Sequence, residues 1–157
     1  MKKIAIVDYD AGNMGSVQKA FEYLGQRVVV TREPQEIMGA EGVVLPGVGA
    51  FGDAMEKLQR YQLTDVIRQA VESGKPFLGI CLGLQLLFES SEESAGVKGL
   101  SLLQGKILRI PEEQGLKIPH IGWNSLELVP GAKLFRGLPE KPFVYFVHSY
   151  YPVSYKQ

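Results

Sequence analysis

The sequence predicts an α/β fold: an open, mostly parallel sheet with helices on both faces and an antiparallel, β-rich extension. Three observations carry this expectation. The first ninety residues alternate short β-branched runs with segments of helical spacing, the pattern of βαβ units. Glycines stand where those helical segments should stop. The second half holds strand-like runs with no strong helix between them. A chain of 157 residues fits one domain with a substantial core, so a single domain is expected over residues 1–157.

Taken in order, Lys3 to Tyr9 is an apolar, β-branched run of the kind buried on both faces of a sheet. Asp10 to Asn13 reads as a turn. Ser16 to Leu24 places Val17, Ala20, Phe21 and Leu24 on one helical face, with Gly25 at the stop. Arg27 to Thr31 is a second strand and Gly42 to Leu45 a third. Leu63 to Ser73 is helical, with Val66, Ile67, Ala70 and Val71 turned inward and Gly74 ending it. Pro76 to Ile80 is a fourth strand and Leu82 to Phe88 a helix. Ser90 to Ser94 reads as a solvated polar loop. Beyond it, Gly105 to Ile110, Ser125 to Val129 and Phe143 to Val147 read as strands, either extending the same sheet or flanking it.

Composition narrows the function. Lys plus Arg and Asp plus Glu each number 17, so the chain lacks the basic excess that nucleic-acid binding calls for. The longest apolar stretch, Phe77 to Phe88, is too short to span a bilayer and is interrupted by Gln85. With one cysteine there is no internal disulfide, and Met1-Lys2-Lys3 opens a strand rather than a signal peptide, so a cytoplasmic protein is expected. One cysteine and two histidines without ligand spacing fit no zinc pattern, so neither a metal nor a cofactor is expected.

The chemistry concentrates at Gly79-Ile80-Cys81-Leu82-Gly83, where an apolar strand runs into a helix. This is the nucleophile-elbow pattern with cysteine as the nucleophile. Side chains two residues before and after a strained elbow would collide, and Gly79 and Gly83 remove them. At the start of the following helix, free N–H groups and the helix dipole favour an anion. The Leu82 N–H could face an oxyanion on an attacked carbonyl, and so could a peptide N–H near Val48 or Gly49 in the Leu45-Pro46-Gly47-Val48-Gly49 loop. That loop follows the third strand, and ligands of open α/β sheets bind at the carboxyl ends of strands. His120 and His148 are the two histidines available as a base.

Pro46-Gly47-Val48-Gly49-Ala50-Phe51, Gly79 to Gln85 and Val147-His148-Ser149-Tyr150 together resemble a class I (triad-type) glutamine amidotransferase. Asp8-Tyr9 with Gly12-Asn13, and Pro119-His120-Ile121-Gly122-Trp123-Asn124, are similar to the members of that family that serve as glutaminase subunits of imidazole glycerol phosphate synthase, in histidine biosynthesis. The resemblance implies that Cys81 attacks the side-chain amide of glutamine, with Val48, Gly49 and Leu82 holding the oxyanion. It implies that Gly49, Gln85, His148, Ser149 and Tyr150 bind glutamine. It further implies that ammonia passes to a (β/α)₈-barrel cyclase subunit faced by Asn13, Trp123 and Tyr145. The family's base and its orienting carboxylate lie in a C-terminal His-Pro-Glu segment that these residues do not include, so neither histidine matches the triad base. The domain is expected to be C-terminally incomplete and weakly active by itself. Alternatives are a glutaminase feeding another synthase, a non-catalytic glutaminase-like docking module, and a cysteine-based hydrolase or stress protein on a similar sheet.

Overall fold

Strand β1 (Lys3–Val7) is flanked by β2 (Arg27–Thr31) on one side and by β3 (Gly42–Leu45) on the other, and β4 (Phe77–Gly79) completes a four-stranded sheet of order β2-β1-β3-β4. The structure is a computed structural model that describes residues 3–155; the terminal Met1, Lys2, Lys156 and Gln157 of the expected domain lie outside the described residues. Every pairing in this sheet is parallel, in the registers Ile4↔Val28, Ile4↔Gly42 and Val43↔Phe77. The order reverses at β1, so the carboxyl ends of β1 and β3 open a crevice at a topological switch point.

Ala5, Ile6 and Val7 are all buried, as a strand covered on both faces requires. Four elements connect the strands: α1 (Met14–Tyr23), α2 (Pro34–Gly39), α3 (Phe51–Arg60) and α4 (Leu63–Glu72). Helix α4 packs against α2 and α3; Leu63, Ile67 and Ala70 of α4, Phe51, Ala54, Met55 and Leu58 of α3, and Ile37 of α2 are buried. Val66 and Val71, expected inside, are only half-buried. Helix α5 (Leu82–Gln85) follows β4.

Several expectations need correction. Helix α1 starts two residues before Ser16, because Asn13 caps it: the Ser16 N–H donates to Asn13 Oδ1 at 3.2 Å. No residue of α1 is buried, and Leu24 is exposed. Helices α2 and α3 form where the sequence predicts no element. The helix expected to Phe88 ends at Gln85 and continues as tight turns, Leu87 N–H to Leu84 O and Phe88 N–H to Gln85 O.

The chain divides into two compact units, residues 1–108 with 152–157 and residues 109–151. Strands β5 (Ser90–Ser91), β6 (Gly105–Arg109) and β9 (Tyr150–Ser154), drawn mostly from the first, form a separate sheet of order β5-β6-β9, with β5 parallel to β6. The later strands therefore form sheets of their own instead of extending the parallel one. The second unit centres on an antiparallel pair, β7 (His120–Ser125) and β8 (Phe143–His148). The strand expected at Ser125 to Val129 lies one element early, at β7. Within the described residues no helix is long and apolar enough to cross a membrane.

Candidate active site

In the first unit, three chain segments leave the carboxyl ends of β1, β3 and β4 and meet. Cys81 follows β4 with φ 55° and ψ −119°, the first central position of a type II′ turn and a conformation that favours glycine. Its side chain is exposed. The flanking glycines are sterically required. A methyl group at Gly79 would lie 2.7 Å from Leu84 Cα, and one at Gly83 would overlap the carbonyl oxygen of Leu45. The elbow is thus pressed against the end of β3.

The neighbouring loop is equally tight. A Cβ at Gly47 would meet Gly83 N at 2.8 Å and Leu82 Cβ at 2.9 Å. The Gly47–Val48 peptide is held at both ends. Its carbonyl accepts from Leu82 N–H at 3.3 Å, and its N–H donates to the Ala11 carbonyl at 3.3 Å. Of the N–H groups expected to face an oxyanion, at Val48, Gly49 and Leu82, those of Val48 and Leu82 are therefore engaged with backbone carbonyls. Gly49, at φ 97° with open space around it, and Val48 are exposed, whereas Leu82 is buried. Gln85 is half-buried on α5. Because α5 has only four residues, its dipole is small, and the expected support for an anion falls to these few N–H groups.

Tyr9 has no role that its place in the sequence reveals. It is fully buried, and its hydroxyl donates to the Pro46 carbonyl at 2.7 Å, at the entrance to the loop. Burial, and then the charge of a Cys81 thiolate, push this phenol far above its ordinary range, so it remains a donor. The loop's exit is fixed by residues read as a solvated polar stretch. Phe51 N–H donates to Glu93 Oε2 and Gly52 N–H to Ser94 Oγ, both at 2.9 Å, so a segment about forty residues on in sequence caps α3. The turn after β1 is braced by Arg32, which donates to Asp8 and Asp10 at 2.9 and 2.8 Å and lies over the Tyr61 ring at 4.1 Å. Tyr61 also donates to Asp10, and Lys57 Nζ to the Asp10 carbonyl.

The second unit carries His148, Ser149, Tyr150, Trp123 and Tyr145. Register alternates the faces of the hairpin. Ile121↔Val147, Trp123↔Tyr145 and Ser125↔Phe143 share one face, and His120↔His148, Gly122↔Phe146 and Asn124↔Val144 share the other. On the first face Ile121, Trp123, Phe143, Tyr145 and Val147 are all more than half exposed, Trp123 at 71%. Trp123 and Tyr145 meet edge to face at 5.7 Å. His120 and His148 form a hydrogen-bonded pair at 2.9 Å. Asn13, in the first unit, is exposed with its side-chain oxygen committed to capping α1.

A model of the class I glutamine amidotransferase family matches residues 5–154, nearly the whole chain. The chain belongs to this family. Among curated relatives, it is 56% identical over 149 residues to imidazole glycerol phosphate synthase subunit HisH of Thermosynechococcus vestitus, covering 94% of this chain and 71% of that one. The HisH subunits of Moorella thermoacetica and Methanosarcina acetivorans are 55% and 51% identical, over 98% and 96% of this chain and 72% and 73% of theirs. Solved structures extend the likeness to the fold. One glutamine amidotransferase crystal structure superposes with a TM-score of 0.72 at 20% identity, covering 97% of this chain and 74% of that chain. Another, from Thermotoga maritima, gives 0.63 at 22% identity, with coverage of 99% and 64%.

Proposed function

We propose that this amidotransferase chain is the glutaminase subunit of imidazole glycerol phosphate synthase, working in the cytoplasm with a (β/α)₈-barrel cyclase. The observation that carries the reading is Cys81, exposed on a strained elbow beside the Pro46–Gly49 loop, in a chain 56% identical to a HisH subunit. The Cys81 thiolate attacks the side-chain amide carbon of glutamine, forming a C–S bond and an oxyanion. Collapse of that adduct breaks the C–N bond, the nitrogen takes up a proton and leaves as ammonia, and water hydrolyses the thioester to glutamate. On this reading Gly49, Gln85 and the Ser149–Tyr150 backbone contact the substrate, and His148 stands behind that backbone.

Val48 and Leu82 supply the oxyanion donors after one movement. Turning the Gly47–Val48 peptide breaks its two hydrogen bonds at once. The turn frees the Leu82 N–H and swings the Val48 N–H to the side its own carbonyl occupied, next to Leu82. The described conformation is then a resting one, and the loaded cyclase favours the turned one. The exposed aromatic face of β7–β8 supports a protein partner there, since contiguous apolar patches rich in Trp and Tyr mark interfaces. Asn13, Trp123 and Tyr145 face the cyclase on this reading.

A diazo-ketone analogue of glutamine tests the assignment. It should label Cys81 in the complex with cyclase, alongside glutamine-dependent ammonia release. Equal labelling of wild type and Cys81→Ser would overturn the nucleophile assignment.

A further inference from the structure

We propose that His120 and His148 are positioning residues for glutamine binding, acting through a hydrogen-bond chain of fixed direction that ends on the backbone of Tyr150. The proposal rests on the glutaminase reading above, in which Ser149 and Tyr150 hold the substrate.

The direction follows from what each atom can do. The Tyr150 carbonyl can only accept, so the His148 Nδ1 facing it at 3.0 Å carries a proton. In a neutral ring His148 Nε2 then bears a lone pair, and the His120 Nδ1 at 2.9 Å must be the donor. His120 Nε2 is left as an acceptor, and the group 3.5 Å away is the Asn124 amide nitrogen. That amide is oriented independently, because Asn124 Oδ1 accepts from the Ser125 N–H at 2.8 Å. The chain therefore runs Asn124 to His120 to His148 to Tyr150, with donor and acceptor matched at each step. It requires both rings to be neutral and both to carry the proton on Nδ1. A proton on both nitrogens of His148 would set two donors against each other, or reverse His120 and point its Nε2–H at the Asn124 N–H.

The rings are also packed in place. His120 stacks on Phe146 at 4.7 Å and 27°, meets His148 at 5.1 Å, and Phe146 lies 5.4 Å from His148. The three side chains occupy one face of the hairpin, from the cross-strand pair His120↔His148. What they hold is specific. The Ser149 carbonyl accepts from the Ile110 N–H at 2.9 Å, and the Tyr150 carbonyl accepts from His148, so two consecutive peptide planes are oriented. The first of these bonds is backbone only; the second depends entirely on the histidine pair. Neither ring is thereby a catalytic residue, because neither is asked to touch the reacting amide.

The test uses the glutaminase–cyclase complex with the acceptor saturating. His148→Ala should raise the glutamine KM about five- to tenfold, the loss of one hydrogen bond of ordinary strength, with kcat nearly unchanged. His148→Asn, whose amide nitrogen takes the place of Nδ1, should restore most of the wild-type KM. His120→Ala, which frees the His148 ring, should fall between them. An unchanged KM in His148→Ala, or no rescue by asparagine, would overturn the proposal. A second measurement needs no activity. A long-range ¹H–¹⁵N spectrum of histidine-labelled protein at neutral pH, with the His120 and His148 rings assigned from the spectra of His120→Ala and His148→Ala, reads the two tautomers. Both should show the proton on Nδ1, and a His148 ring protonated on Nε2 overturns the chain of bonds. If the wild-type complex neither releases ammonia nor is labelled, the glutaminase reading fails, even with both rings in the expected tautomer. If it turns over normally and KM is indifferent to His148, the positioning role alone fails.

Discussion

Replacing Cys81 with glycine should make the protein more stable than replacing it with alanine, against the usual order. Cys81 sits at φ 55° and ψ −119°, where a residue bearing a Cβ stores about 1–3 kcal/mol of backbone strain. Glycine relieves that strain, while its greater freedom in the unfolded chain costs about 0.5–1 kcal/mol relative to alanine. The side chain is exposed, so losing the Cβ sacrifices little packing. The net expectation is a gain of about 1 kcal/mol for Cys81→Gly over Cys81→Ala, or about 2–4 °C in Tm for a chain of this size. Both variants lack the thiol, so comparing them by urea and thermal denaturation isolates the backbone. If Cys81→Gly is equal to or less stable than Cys81→Ala, the elbow stores no strain and the argument that its geometry presents a nucleophile loses its physical basis.

Other outcomes follow from neighbouring contacts. Gly83→Ala drives a methyl into the Leu45 carbonyl and should cost at least about 3 kcal/mol by urea titration, whereas Gly49→Ala meets open space and should cost only the ~1–2 kcal/mol of its positive φ. Exchanging the Val48 amide for an ester deletes one of the proposed oxyanion donors and should lower stimulated glutaminase kcat about 10²–10³-fold with KM little changed. The hydrogen bond from Tyr61, then that from Arg32, hold the Asp10 carboxyl below its ordinary value of 3.8, so the group stabilises the fold above that pH and stops doing so as pH falls through the lower folded value. The stability advantage of wild type over Asp10→Asn should therefore be steady near neutrality and vanish in acid. Trp123→Ala should weaken cyclase binding by about 2 kcal/mol or more, measured by titration calorimetry, without moving the glutamine KM.

Much of the parallel sheet could be read directly from residues because its central strands, β1 and β3, are buried on both faces. Runs such as Ile4 to Val7 and Val43 to Leu45 have no polar side to disguise them. The elbow could be read for a different reason, since two glycines around Cys81 answer a local steric demand. Where partners are distant in sequence the reading failed. Phe51, Ala54, Met55 and Leu58 do carry helical spacing, but the glycine-rich segment before them concealed the start, and the groups capping it come from Glu93 and Ser94. Periodicity in α1 identified residues that share a face, yet it could not say whether anything covers that face, and Leu24 is exposed. The strand expected at Phe143 to Val147 is found there, but its partner β7 precedes the expected Ser125 to Val129, because β7 turns its large apolar residues outward, reversing the usual cue. The His120–His148 pair and the Tyr9 bond to Pro46 arise only when the chain folds.

The double attachment of the Gly47–Val48 peptide sets a dynamic range. On the proposed reading, one plane carries both restraints, so neither donor is released without the other and each molecule is either idle or armed. Two backbone hydrogen bonds of about 0.5–1.5 kcal/mol each place the armed form about 1–3 kcal/mol higher, so an unpartnered subunit is armed about 1–15% of the time. That fraction is the leak, the glutamine destroyed with no acceptor waiting. Its reciprocal is the ceiling on what any partner can gain by arming this loop alone, roughly tenfold to a hundredfold. Activation beyond that ceiling has to come from elsewhere in the site. Tightening either restraint would quiet the leak and raise the ceiling together, so economy and responsiveness in this subunit are set by the same two bonds.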